Sequence, residues 1–294
     1  MTVGAPAGTN ASLAFPLSPA ETRALVRAAL EEDRAFDDVT TLATVPADAR
    51  GRGAIVARAP GVIAGLPLAI AAFETMSDEV GVRVASGDGA HVGAGGVAAE
   101  VSGPWRALLS AERVALNFVQ RLSGVATLTA RYVEAVRGTK TQIYDTRKTT
   151  PTFRALEKYA VRCGGGVNHR ADLAEAVLIK DNHLAALGGD IALAVRRARE
   201  AGRPGICVEV ECDDVTQVDA ALAAGADVVL LDNMPLDAMR ACVARTAGRV
   251  PLEASGGVTL DRVRAIAETG VGRISVGGLT HSAPALDLGL DYLA

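Results

Sequence analysis

The stretch ICVEVECDDVTQVDAALAAGADVVLLDN, residues 206–233, holds the pattern that decides the fold. Two short runs in it, ICVEVE (206–211) and DVVLL (227–231), are almost continuously apolar, as strands covered on both faces are. Further along, PLEA (251–254) and RISV (273–276) have the same character, so four strands begin 21, 24 and 22 residues apart. Upstream, QIYD (142–145) and VLIK (177–180) extend the series, and amphipathic helical segments separate the strands. This alternation is that of a parallel sheet with helical crossovers, and its steady beat suits a closed barrel better than an open sheet. About 150 residues are too few for eight standard units, so the expectation is an α/β protein with a reduced or distorted β/α barrel.

Before residue 140 the pattern differs. Ser18-Pro19-Ala20-Glu21 has capping-box spacing with proline at the first helical position, which predicts a helix from about 19 to 33. From Arg52 to Glu100 short apolar runs alternate with glycine-rich turns, interrupted by a predicted helix at Pro67 to Met76. A further helix is predicted over Pro104 to Arg121. The expected organisation is a disordered tail (1–17), an α+β N-terminal domain (18–125), a β/α barrel domain (126–282), and a terminal segment (283–294) packing back on the N-terminal domain.

With 49% hydrophobic and 22% charged residues among 294, the chain has the composition of a folded globular protein. A net charge of −4 and 3% aromatics argue against a nucleic-acid or anionic-membrane surface. Cys163, Cys207, Cys212 and Cys242 form no C-x-x-C pair and read as reduced thiols of a cytoplasmic protein. The N-terminus has no basic residue before Arg23, and the longest uncharged apolar stretch, Ala59 to Phe73, is too short to span a bilayer.

Polar residues gather where the strands end: Asp145 with Arg147 and Lys148, Lys180, Glu209 and Glu211, Asp232, Ser255, and Gly277-Gly278. In β/α barrels that rim carries the chemistry, because its loops vary without disturbing the packed interior. Charge is also segregated: residues 146–170 hold six bases and one acid, while 205–239 hold eight acids and no base. One side of a shared mouth would then attract carboxylates or phosphates, and the other a cation or sugar hydroxyls. The bland alternative of solvated helix faces covers Arg154, Lys158, Asp214, Asp219 and Asp237. Lys180 ends an apolar strand, where burying an ammonium requires a partner. Glu209 and Glu211 share a strand face and need a metal, a proton or a lysine. The histidines lack zinc spacing, and no serine sits in G-x-S-x-G.

Taken in order, DTRKTTP (145–151), GGGVNHR (164–170), LIKDNH (178–183), VEVE (208–211), LLDN (230–233), SGG (255–257) and VGGLTHS (276–282) closely resemble the quinolinate phosphoribosyltransferase family. Specificity lies in the ordered combination, which runs from about Thr22 to Leu293. The resemblance implies condensation of quinolinate with 5-phosphoribosyl-1-pyrophosphate, releasing pyrophosphate and CO2 and forming nicotinate mononucleotide on the route to NAD. It implies that Arg147, His169, Arg170 and Lys180 hold the two quinolinate carboxylates, with Thr146 and Lys148 beside them. Arg113 is expected to enter the pocket from the neighbouring subunit of a homodimer with shared active sites. Glu211 and Asp232 are expected to meet the ribose hydroxyls and Mg²⁺, directly or through water. Ser255, Gly256, Gly257, Val276, Gly277 and Gly278 match phosphate loops, and His281 a histidine near the phosphates. Lys148, His169, Lys180, Glu211 and Asp232 are the catalytic candidates. Lys148, His169 and water all remain open as the source of the proton that replaces CO2. Two other classes compete: a Schiff-base aldolase using Lys180, and a non-catalytic pyridine-carboxylate sensor, which would have no use for Glu211, Asp232 and the phosphate loops.

Overall fold

The computed structural model describes residues 13–293. Of the expected tail, residues 1–12 lie outside the described residues; within 13–17, Phe15 and Leu17 are half-buried. In chain order the elements are α1 (Pro19–Glu32), a 3-10 turn (Ala35–Asp37), α2 (Val39–Thr44), β1 (Arg50–Ala57), β2 (Gly61–Val62), α3 (Leu66–Met76), β3 (Gly81–Val84), β4 (His91–Val92), β5 (Val97–Pro104) and α4 (Trp105–Ala135). There follow β6 (Gln142–Tyr144), α5 (Arg154–Cys163), β7 (Val177–Ile179), α6 (Asp181–Ala185), α7 (Ile191–Ala201), β8 (Val208–Cys212), α8 (Val215–Ala223) and β9 (Val228–Asp232). The last are α9 (Leu236–Thr246), β10 (Leu252–Ser255), α10 (Val263–Ala267), β11 (Arg273–Ser275), α11 (Gly278–His281) and β12 (Leu288–Leu293).

Contacts divide the chain into two compact units, one running to Thr127 and resuming at Pro284, the other Leu128–Ala283. In the first, β12-β1-β5-β3 form an antiparallel sheet, with Ile55 of β1 opposite Leu290 of β12. Helix α1 starts where the capping box places it. The Glu21 amide donates to Ser18 Oγ at 3.2 Å, the Ser18 amide to Glu21 Oε2 at 2.8 Å, and Val26 and Leu30 are fully buried. Helix α4 does not stop near Arg121 as expected but continues to Ala135. Serine, glycine and threonine in LSGVATLTA lower helix propensity, yet Leu122, Ser123, Val125 and Ala126 are buried, and packing outweighs the weak local preference. Gly124 serves that packing: a Cβ there would lie 2.1 Å from the Pro284 carbonyl oxygen.

The second unit contains six parallel strands in the order β6-β11-β10-β9-β8-β7. Val208, Val210 and Cys212 are fully buried on one face of β8, and Glu209 and Glu211 face the opposite way. Residues on or just after all six strands line one cavity, so the sheet curls around it. The ring is incomplete: β6 and β7 are its edges, and beyond β6 only a parallel bridge, Tyr144 to Val167, adds to it. This is the reduced β/α barrel in a six-stranded form. No helix among the described residues is long and apolar enough to cross a membrane.

Candidate active site

The cavity at the C-terminal ends of the six strands has a volume of about 560 Å³. It gathers Thr146, Arg147, Lys148, His169, Arg170, Lys180, Glu211, Asp232, Ser255, Gly256 and Gly257 from the sequence-derived set. Val276, Gly277, Gly278 and His281 are not among its lining residues. They sit beside it: a Cβ on Gly277 would lie 3.1 Å from both His281 Nε2 and Lys148 Cδ, and Thr280 Oγ1 donates to the Lys148 carbonyl at 2.7 Å. Arg113 belongs to the first unit, where it is exposed on α4.

The basic wall is built on a buried ionic support. Asp145 is wholly buried just after β6 and accepts from Lys158 Nζ (2.5 Å), Asn168 Nδ2 (2.6 Å) and the His169 amide (2.8 Å). Lys158 also donates to the His169 carbonyl at 2.8 Å. Burial pushes the Asp145 carboxyl upward, against the pull of the Lys158 ammonium and the other donors. Lys158 is therefore no solvated helix charge, as its place in a helix had suggested, but ties α5 to the loop that carries His169 and Arg170. Glu157, beside it and fully buried, accepts from the Thr150 amide (3.0 Å) and Thr150 Oγ1 (2.9 Å), clamping the segment that follows Arg147 and Lys148.

Arg147 stands close enough to Arg170 for its charge to disfavour the charged form of Arg170. Burial first, then Arg147, depresses Arg170, and Arg147 Nε is buried without a hydrogen-bond partner. Two guanidinium groups with an unmet donor form a cavity wall that requires an anion. Lys180 departs from expectation in its environment. Its side chain is 45% exposed, and Nζ is held by Glu211 Oε2 at 2.5 Å. Glu211 thus finds the lysine that its inward orientation demanded. On the acidic side Asp232 Oδ2 accepts from Asn233 Nδ2 at 2.8 Å. The turn after β10 comes so close to Asn233 that a Cβ on Gly256, whose φ is +87°, would lie 2.2 Å from Asn233 Oδ1.

His169 faces inward to a pair of carboxylates. Its Nε2 lies 3.0 Å from Glu209 Oε2 and 3.5 Å from Glu253 Oε1, and its Nδ1 accepts from the Arg170 amide at 2.9 Å. That amide fixes the neutral tautomer with the proton on Nε2, and neither nitrogen is left for a ligand carboxylate. The carboxylates draw the imidazole toward its charged form despite burial, while the Arg170 amide opposes a second ring proton. Burial and then the Glu209 charge push Glu253 up to about 7, with His169, Ser275 and Arg273 acting the other way.

The family model for the quinolinate phosphoribosyl transferase C-terminal domain matches residues 125–291, and that for the N-terminal domain matches residues 38–123. The chain belongs to the quinolinate phosphoribosyl transferase family. It is 46% identical over 275 residues to the nicotinate-nucleotide pyrophosphorylase (carboxylating) of Mycobacterium leprae, covering 92% of this chain and 96% of that one. To the human protein of the same name it is 40% identical over 287 residues, covering 96% and 95%. The solved nicotinate-nucleotide pyrophosphorylase of Francisella tularensis superposes with a TM-score of 0.88 at 37% identity, covering 95% and 99%.

Five residues of this quinolinate phosphoribosyl transferase cavity, Leu178, Leu230, Asn233, Glu253 and Ser275, escaped the reading of its sequence as site residues. Glu253 was legible: it is an acid within an otherwise apolar strand, two residues before Ser255 and so on the same face.

Proposed function

We propose that the protein transfers the phosphoribosyl group of 5-phosphoribosyl-1-pyrophosphate to quinolinate with decarboxylation. The products are nicotinate mononucleotide, pyrophosphate and CO2, a step of NAD biosynthesis. The observation that carries this reading is one cavity lined both by the cations Arg147, Lys148, Arg170 and Lys180, with an unmet guanidinium donor, and by the carboxylates of Glu211 and Asp232.

Arg147, Arg170 and Lys180, with Lys148 and Thr146 beside them, hold the two ring carboxylates and so orient the pyridine nitrogen toward the sugar. Glu211 and Asp232 face the ribose, where loss of pyrophosphate builds positive charge on the anomeric carbon and a carboxylate lowers the barrier electrostatically. Ser255, Gly256 and Gly257 present backbone amides and a hydroxyl to a phosphate, with Val276, Gly277, Gly278 and His281 forming the adjoining loop. Once the ring nitrogen is glycosylated, its positive charge accepts the electron pair left by the departing carboxylate.

All-oxygen donors suit Mg²⁺, and Glu211 and Asp232 each have one oxygen engaged, by Lys180 and by Asn233, leaving the other for a cation, water or ribose hydroxyl. When bound, Mg²⁺ would neutralise charge on the leaving pyrophosphate. Arg113 serves the site of a second subunit in a homodimer. Four cysteines without a disulfide suit the reducing cytoplasm, and burial pushes the Cys212 thiol up to about 12, away from reactivity. A Schiff-base role for Lys180 is disfavoured by its open, polar setting and its bond to Glu211.

The test is an assay with quinolinate, phosphoribosyl pyrophosphate and Mg²⁺ that follows nicotinate mononucleotide and CO2. Absence of both products at saturating substrate refutes the reading.

A further inference from the structure

The cluster His169, Glu209 and Glu253 has more buried acceptors than protons to meet them. One ligand atom from each lies within 4.8 Å of the other two, yet Glu209 Oε1 and both carboxylate oxygens of Glu253 are buried without a hydrogen-bond partner. Two buried carboxylates this close do not both stay ionised. Glu253 has the longer contact with His169 Nε2, at 3.5 Å against 3.0 Å for Glu209, so Glu253 is the one that carries the extra proton. The groups around Glu253 fit that assignment: Glu209 on β8, His169 after the Val167 bridge, Tyr144 on β6, and Arg273 and Ser275 on β11. The Arg273 guanidinium lies 5.2 Å from the Tyr144 ring centroid. Burial pushes Glu253 upward, as geometry requires. Glu253 and Ser275 also line the cavity that Arg147, Arg170 and Lys180 share, so this proton is held at that cavity's wall.

We propose that Glu253, held protonated by Glu209 and His169 in the cavity lining, is the acid that supplies the proton replacing CO2 on the pyridine ring. The proposal rests on the phosphoribosyl transfer reading above. In the step, the bond from the ring carbon to the departing carboxylate breaks and its electron pair stays on that carbon, next to the glycosylated nitrogen. The carbon then takes the Glu253 proton: a C–H bond forms, the carboxyl O–H bond breaks, and Glu253 becomes a carboxylate. His169 Nε2–H, poised between the two glutamates, stabilises the new charge until water in the cavity returns a proton. His169 is thus a positioning residue.

Glu253→Gln keeps shape and removes the transferable proton. It is expected to lower kcat by about a hundredfold or more, the usual scale for loss of a general acid, while calorimetry finds quinolinate affinity within about threefold of wild type. Wild-type kcat should fall as pH rises and Glu253 ionises, and that limb should be missing from the residual activity of the variant, which a merely structural role would not produce. Turnover of Glu253→Gln within about threefold of wild type overturns the proposal. Should the variant not fold, infrared spectra of wild type at about pH 6 and about pH 8 decide. A carboxylic-acid band that converts to carboxylate between them supports the assignment, and its absence at the lower pH overturns it. A wild-type protein that makes no nicotinate mononucleotide refutes the reaction itself, whereas an active wild type with an equally active variant refutes only the role of Glu253.

Discussion

Replacing Lys158 by methionine probes the support beneath the cationic wall. In the native protein Lys158 and Asp145 are 6% and 0% exposed, and the ammonium is shared between Asp145 Oδ1 and the His169 carbonyl. Methionine retains most of the volume but leaves Asp145 with only Asn168 and the His169 amide. Stranding one partner of a buried ion pair costs about 3–5 kcal/mol. For a unit of this size each kcal/mol lowers the unfolding midpoint by about 2–4 °C, so the expected loss is about 6–20 °C, read by calorimetry near neutral pH. The sign of the pH dependence is fixed as well. Removing the ammonium raises the folded-state pKa of Asp145 further above its unfolded value, so the variant recovers stability as pH falls and Asp145 protonates, and loses it as pH rises. Asp145→Asn added to Lys158→Met removes the stranded charge and should restore a large part of the loss. A single variant melting within about 2 °C of wild type, or one equally destabilised at all pH values, would refute the claim that this pair is buried and structural.

The other expectations concern the cavity. Nicotinate, with one carboxylate, should be turned over poorly beside quinolinate, because it leaves part of the Arg147, Arg170 and Lys180 cluster unpaired; comparable kcat/KM for the two acids would contradict this. Asp232→Asn and Glu211→Gln should impair use of the sugar substrate more than binding of quinolinate, and calorimetry with quinolinate alone separates the two. Arg113→Ala and Lys180→Ala should each be nearly inactive, yet a co-refolded equal mixture should recover roughly a quarter of wild-type activity if two chains share each site; proven subunit exchange without recovery removes Arg113 from the partner's site. Burial and then the Glu209 charge push the Glu253 carboxyl up to about 7, above the ordinary carboxylate range, so folding is favoured by its protonation and the contribution is lost as pH rises toward that value. Glu253→Gln should therefore gain stability relative to wild type at about pH 8, by up to about 3 kcal/mol, and the gain should vanish below about pH 4.5, as denaturant titration would read.

Strand period and spacing determined the run of parallel βα units from the sequence alone, because a strand buried on both faces must be apolar wherever it lies in the chain, whereas how far the sheet curls was decided by the tertiary structure. Strand-end position likewise placed Arg147, Lys148, Lys180, Glu211, Asp232 and Ser255 on one rim, while Thr146, His169, Arg170, Gly256 and Gly257 joined them only through the ordered motifs shared with the family. Tertiary structure decided what no local pattern carries. The end of α4 was misplaced because burial of Leu122 to Ala126 overrides weak helix formers. Lys158 looked like a solvated helix charge, and only the approach of Asp145 makes it a buried strut, as Thr150 does for Glu157 beside it. Whether Lys180 was buried or open, and which group each glutamate faced, depended on side chains from strands 30 to 80 residues apart along the chain. Charge state is set by what surrounds a group in space, so the proton assigned to Glu253 belongs to the folded barrel, and the sequence supplies only the residue that holds it.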